Sequence, residues 1–166
     1  MRARAGAVDS ITIRDGVLTC TTIENEKPKG ICGSGIVDLL AQMLLAGWMD
    51  RQGTLQPEKS SRIRRFEDQW AIAYADETES ATGEALLFTQ EDIRQFTETK
   101  AAAHTMVAVL LNTAGLTLDD IDRIYLAGAF GRHLDLESAI TIGIYPDAPR
   151  EKFRNVGNSS LDGACD

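Results

Sequence analysis

Two short glycine-bearing segments hold the residue types that could do chemistry. In the first, Gly33-Ser34-Gly35 runs straight into Ile36, Val37, Leu39, Leu40, Met43 and Leu44, which recur at helical spacing. Glycines at the mouth of a helix let the backbone approach a phosphate, and the helix start adds unpaired N–H donors and a partial positive charge. The spacing is neither G-x-x-x-x-G-K-S/T nor G-x-G-x-x-G, so phosphate contact competes here with a tight turn packed on a sheet. A serine nucleophile elbow would need glycine at positions 32 and 36, which hold Cys32 and Ile36, and this argues against hydrolase chemistry. In the second segment, a buried-looking strand from Asp122 ends at Gly128 and continues as Ala129-Phe130-Gly131. A strand that ends in glycines at the carboxyl edge of an open sheet leaves room for a flat ligand to lie against backbone, or for another element to pack closely.

Lys100 stands on the apolar side of a long predicted helix, between Phe96 and Ala103. A cation there either runs to the surface along its aliphatic stem or points into a nucleotide cleft. Glu98 is near in sequence but on another part of the helix surface, so no fixed pair is implied. The two histidines, His104 and His133, have no carboxylate at a spacing that would mark a general base. Cys20, Cys32 and Cys165 are far apart, form no C-x-x-C pair and have no histidine at ligand spacing, so no metal site is expected.

The elements that must position these residues can be read from period and punctuation. Val8 to Ile13 and Val17 to Ile23 flank Asp15-Gly16, which supplies the positive φ angles of a tight hairpin. The first glycine segment opens a helix that stops near Gly47. Asp50 to Asp68 is polar with little period and reads as a surface excursion, its Arg62-Ile63-Arg64-Arg65 run being a solvated edge or a docking patch. Trp70 to Tyr74 and Ala85 to Phe88 form a second hairpin around a turn at Glu77 to Gly83. Thr89-Gln-Glu-Asp92 caps a helix to about Ala114, with Ile93, Phe96, Ala103, Val107, Leu110 and Ala114 on one face and Gly115 as the stop. A strand ending at Gly128, a short helix from Asp135, a strand at Phe153 to Val156 and a helix start at Gly157 to Ser160 complete the pattern.

At 166 residues with 43% hydrophobic and 25% charged, the chain has the composition of one globular domain. A net charge of −8 argues against a nucleic-acid surface. No run approaches the ~18 apolar residues of a membrane span. An odd cysteine count and a start without an apolar signal region point to a reducing, cytoplasmic setting.

Taken in order, Met1-Arg-Ala, Pro28-Lys-Gly30-Ile-Cys-Gly-Ser-Gly35 with Asp38-Leu39, Ala46-Gly47, Thr89-Gln-Glu-Asp92-Ile93, Lys100-Ala-Ala, Tyr125-Leu-Ala-Gly128-Ala-Phe-Gly131, Ile142-Gly143 and Val156-Gly157-Asn158 form a series. It resembles the C-terminal domain of the reductive activators of corrinoid proteins over nearly the whole chain. The resemblance implies an α/β fold of the ribonuclease-H-like, actin-like ATPase type, a mixed sheet flanked by helices. Residues 1–166 would be part of one such domain, truncated at both ends, with the excursion near 50–68. In the parent it implies Mg-ATP and a two-iron two-sulfur cluster, the latter outside this chain, and a corrinoid protein as partner, taken from cob(II) to cob(I) for methyl transfer. A homodimer is left open; nucleic acid and membrane are not expected partners.

Carried over by the resemblance, Gly128, Ala129, Phe130 and Gly131 form the adenosine-side turn, Gly33, Ser34 and Gly35 a turn facing the cleft, and Lys100 a helix contact to adenine and ribose. No catalytic residue is assigned, and the fragment alone is expected to be inactive. Ala129 departs from the glycine usual after Gly128 and adds a Cβ. Two other readings stay open: a docking or dimerisation module of the same fold, and another ATPase of the superfamily, such as a dehydratase activator or a small-molecule kinase.

Overall fold

The computed structural model describes residues 4–128 and 133–157. The chain divides into two compact units, Met1–Thr99 and Lys100–Asp166. The first opens with β1 (Ala7–Arg14) and β2 (Val17–Thr22), antiparallel around Asp15 and Gly16. Their φ angles of 51° and 76° are the left-handed pair that such a two-residue turn requires. β3 (Gly30–Ile31) pairs parallel with the start of β1, giving a mixed sheet in the order β2-β1-β3. Sequence alone does not show this strand, because two residues are too few to display a period.

Directly after β3 comes α1 (Gly33–Leu45), ended by Gly47 at φ 71°. Val37, Leu39, Leu40, Ala41 and Met43 are buried along it, and Val8 and Ile11 are buried on β1. Beyond the short β3, one edge of β1 has no strand beside it among the described residues. Side chains of α1 occupy that place: Ile11 donates its N–H to Asp38 Oδ2 at 3.3 Å, and Ile13 donates to Gln42 Oε1 at 3.0 Å. The two acceptors are one helical turn apart, so their spacing suits alternate residues of the strand. Asp38 is only 6% exposed, and its Oδ1 has no partner among the described residues.

The second sheet has the order β4-β5-β6, all antiparallel: β4 (Ile63–Phe66), β5 (Gln69–Ala75) and β6 (Leu86–Thr89). The β5–β6 hairpin agrees with the sequence reading. β4 lies inside the stretch read as an excursion; only Ile63 of its four residues is buried, so it offers no alternating pattern. The arginines there are engaged by the chain's own side chains, two by acids and one by an aromatic ring. Arg62 makes a two-pronged contact with Glu79 at 2.8 and 2.9 Å, Arg64 reaches Glu77 at 3.0 Å, and Arg65 lies over the Trp70 ring at 5.4 Å.

Hydrogen bonds from Arg62 hold the Glu79 carboxyl below its ordinary value of 4.5. A carboxyl depressed in the folded state contributes stability that is complete above its unfolded value and is lost as pH falls through the folded one. Arg62→Met should therefore lower stability at neutral pH by at most about 1 kcal/mol, since the pair is partly solvated. It should also flatten the decline below pH 4.5, as read by urea titrations across pH.

Thr89 and Asp92 start α2 (Gln90–Thr113) reciprocally: Thr89 N–H donates to Asp92 Oδ2 at 2.8 Å, and Asp92 N–H to Thr89 Oγ1 at 3.1 Å. Gly115, at φ 67°, follows the end. In the second unit, β7 (Ile124–Leu126) pairs parallel with β8 (Phe153–Asn155), and α3 (Leu136–Thr141) is capped by Asp135 Oδ1, which accepts from Ser138 N–H at 2.7 Å. Ala139, Ile142, Ala148 and Phe153 are its buried apolar residues. Among the described residues no helix is long and apolar enough to cross a membrane.

Candidate functional site

At the start of α1 the chain leaves β3 in extended form. Cys32 N–H donates to Val8 O at 3.0 Å, and Ile36 N–H closes the first helical turn on Cys32 O at 3.0 Å. The N–H groups of Gly33, Ser34 and Gly35 are thus the ones a helix leaves without internal partners. Cys32 makes no side-chain cap, and no acidic residue occupies the first turn. Ser34 is buried with its Oγ 3.1 Å from Cys32 Sγ.

Gly35 has a separate physical reason to be glycine. A Cβ there would stand 2.4 Å from Val8 O and 2.9 Å from Ile31 Cγ1, so the missing side chain is what lets α1 lie against β1 and β3. Of the alternatives left open for this segment, packing on the sheet accounts for Gly35 without any ligand.

The second glycine segment begins where β7 ends. Val156 N–H donates to Leu126 O at 3.0 Å, and Gly128 N–H to Gly157 O at 2.7 Å, so backbone pairing continues past both strands. Gly128 (φ 90°) and Gly157 (φ 68°) are both left-handed, and a Cβ on either would meet nothing within 4 Å among the described residues. Two parallel strands therefore finish side by side in glycines at an open carboxyl edge, the place where open α/β sheets take ligands. The Gly128 N–H is already spent on Gly157, so Gly128 offers shape and backbone access, not a donor. Ala129, Phe130 and Gly131 lie outside the described residues. Gly157 opens the helix start expected at Gly157 to Ser160, of which 158–160 lie outside the described residues; its position just after a predicted strand, like that of Gly128, is the signal for a glycine at the sheet edge.

Lys100 is half-buried on α2. A Cβ placed on Gly143 would sit 3.8 Å from its Nζ. Gly143 (φ 73°) follows α3 and donates its N–H to Ile140 O at 2.9 Å, so the ammonium stands by the helix end where carbonyls point outward and a cation is favoured. That is a structural reason for a cation which sequence spacing did not show. Glu98 pairs with Arg94, consistent with no fixed contact to Lys100. His104 and His133 are exposed. Burial pushes the Cys20 thiol up, with the Glu79 charge adding to it, which disfavours a reactive thiolate. Among the described residues no three His, Cys, Asp or Glu side chains converge on a point. Gly33, Ser34 and Gly35 belong to the first unit, Lys100 and Gly128 to the second.

A family model described as the C-terminal domain of RACo, the ASKHA domain, matches residues 1–166. The corrinoid activation enzyme RamQ of Eubacterium limosum is 28% identical, over 99% of this chain and 29% of its own length. A solved structure titled reductive activator for corrinoid, iron-sulfur protein superposes with a TM-score of 0.91 at 40% identity, over 99% of this chain and 27% of that one. The chain thus spans less than a third of the length of either relative.

Proposed function

Because the chain belongs to the family of the C-terminal ASKHA domain of RACo, we propose that it forms the adenosine side of the ATP site in a reductive activator of a corrinoid protein. The observation that carries this reading is the carboxyl edge at Gly128 and Gly157, where among the described residues no side chain comes within 4 Å of where a Cβ would stand. A flat base can lie against such an edge. Gly128 to Gly131 would form its wall and Lys100 would approach the base or ribose; taken by itself, the first turn of α1, at Gly33 and Ser34, has the unpaired N–H groups that suit a phosphate.

In the whole protein, ATP turnover would drive a low-potential electron uphill to cobalt, from cob(II) to cob(I), with the corrinoid protein as partner. The nucleotide supplies that free energy by favouring one arrangement of the complex over another. This chain's residues would bind and orient the adenosine end. The iron-sulfur cluster would belong elsewhere in the polypeptide, because three cysteines are one short of the four thiolates of a two-iron two-sulfur site. A cytoplasmic setting fits an acidic chain working with low-potential electrons.

Gly128→Ala tests the wall. The left-handed φ of 90° makes any L-residue there cost about 1–2 kcal/mol, and the new methyl projects into the open edge. Calorimetry with Mg-ATP on the protein as the cell makes it should show roughly tenfold or greater loss of affinity, equivalent to about 1.4 kcal/mol. Unchanged affinity in a folded variant would remove this turn from the site. Absence of Mg-ATP binding by the unmodified protein would sink the activator reading and leave a docking module.

A further inference from the structure

Beside the first turns of α2 lies a recess of about 460 Å³, within the range of small-molecule pockets. It is built from 52–54, 69–70 and 90–98, all in the first unit, and shares no residue with the two glycine segments or Lys100. Its walls are pinned by polar side chains. Gln90 donates to Gly53 O at 2.6 Å and accepts from Leu55 N–H at 2.9 Å, and Gln69 Oε1 accepts from Glu91 N–H at 2.9 Å. Asp50 Oδ1 accepts from the N–H groups of Gln52 and Thr54 at 2.9 and 2.8 Å. The recess is thus held in shape by the chain's own bonds, which lowers the ordering cost of filling it.

The lining narrows what can fill it. Trp70 and Ile93 supply apolar surface, and Arg65, which lies over the Trp70 ring at 5.4 Å, is not part of the recess. Among the described residues, the Thr54 hydroxyl, the Gln69 amide N–H groups and the Trp70 indole N–H are left unused by other groups. Arg94 is the one cation of the lining, and it is held by both Glu91, at 2.8 Å from its Nε, and Glu98. One cation against two carboxylates opposes an anionic ligand. A hydrocarbon would leave the free polar groups unpaired, and a cation has no use for the donors of Gln69 and Trp70. A sugar ring meets all of these conditions: C–H groups on its faces suit the indole, and hydroxyls around its edge both donate and accept.

We infer that this recess binds a neutral sugar, a pyranose ring set against Trp70 with its hydroxyls bonded to Thr54, Gln69 and the free oxygen of Glu98. This site is separate from the proposed nucleotide site and takes a ligand of different charge.

The test uses the protein as the cell makes it, with methyl α-D-glucopyranoside, methyl α-D-mannopyranoside and methyl β-D-galactopyranoside as probes, read by saturation-transfer NMR. One of them should bind with a dissociation constant of about 1 mM, the strength that a single ring of this size commonly reaches. The 6-phosphate of the preferred sugar should bind at least about threefold more weakly, because the rim repels it. Trp70→Ala should weaken binding about tenfold through loss of the aromatic face. Thr54→Val, an exposed change that keeps the shape, should weaken it about fivefold, the share of one hydrogen bond. Mg-ATP should leave the glycoside bound. Displacement by Mg-ATP overturns the inference, because the sugar would then occupy the nucleotide site. Absence of signal from all the probes at roughly 20 mM overturns it too, as does binding that both variants leave unchanged. Tighter binding of N-acetyl-lysine amide than of any glycoside does the same, because the recess would then seat a cationic side chain.

Discussion

Replacing Gly35 by alanine should lower the stability of the first unit by about 3 kcal/mol, at the upper end of what a single extra methyl does in a packed interior. The added Cβ would lie 2.4 Å from Val8 O, and the obstacle is a backbone carbonyl that no rotamer change can move aside. Urea unfolding followed by tryptophan fluorescence measures this, since Trp48 is buried and Trp70 partly so. Gly30→Ala is the control: a Cβ there meets nothing within 4 Å, and the change should stay within about 0.5 kcal/mol. Equal effects at the two positions would mean that the close contact is not what Gly35 provides.

Asp38→Ala should cost about 2 kcal/mol, because the buried Ile11 N–H loses a charged acceptor and gains no water in exchange. The loss falls short of the upper range since the carboxylate itself leaves Oδ1 without a partner among the described residues. Asp38→Asn, which keeps an acceptor for Ile11, should lose less. Gln42→Ala should also lose less, because the Ile13 site is only partly buried. Hydrogen exchange separates the roles: the Ile11 amide should lose protection in Asp38→Ala and keep it in Gln42→Ala. Uniform loss across β1 in both variants would show general loosening in place of two local caps.

The elements legible in the sequence are those whose signals are local. Asp15-Gly16 announces a hairpin because both residues must take positive φ, and they do. α2 announces its start through Thr89 and Asp92 and its end through Gly115. β3 and β4 were not legible. One is two residues long, and the other buries only Ile63, so neither displays a period. On α2 the period placed Val107 and Leu110 on one apolar face, yet both are exposed, because period gives the spacing of apolar residues and not what packs against them.

The candidate site divides in the same way. Gly128 was legible as a glycine at a strand end. Its N–H being taken by Gly157 was not, because that depends on two strands far apart in sequence meeting in parallel. The cation at Lys100 raised a question that sequence could not close, since Gly143 and the end of α3 come to it only in the folded unit.

The contact at Gly35 also sets how tolerant this region can be. Gly35, Asp38 and Gln42 fall on one side of α1, so the distance fixed at the glycine determines whether the two caps beyond it can reach Ile11 and Ile13. Ordinary buried contacts give a little when pushed, because side chains change rotamer. A backbone pressed on a carbonyl has no such slack. The joint between α1 and β1 therefore has little room, and a displacement of the helix start toward the strand would be opposed by the Val8 carbonyl. A shift near Ser34 would therefore bear on β1 at three points, Val8, Ile11 and Ile13, which ties this helix and strand together along most of the strand's length.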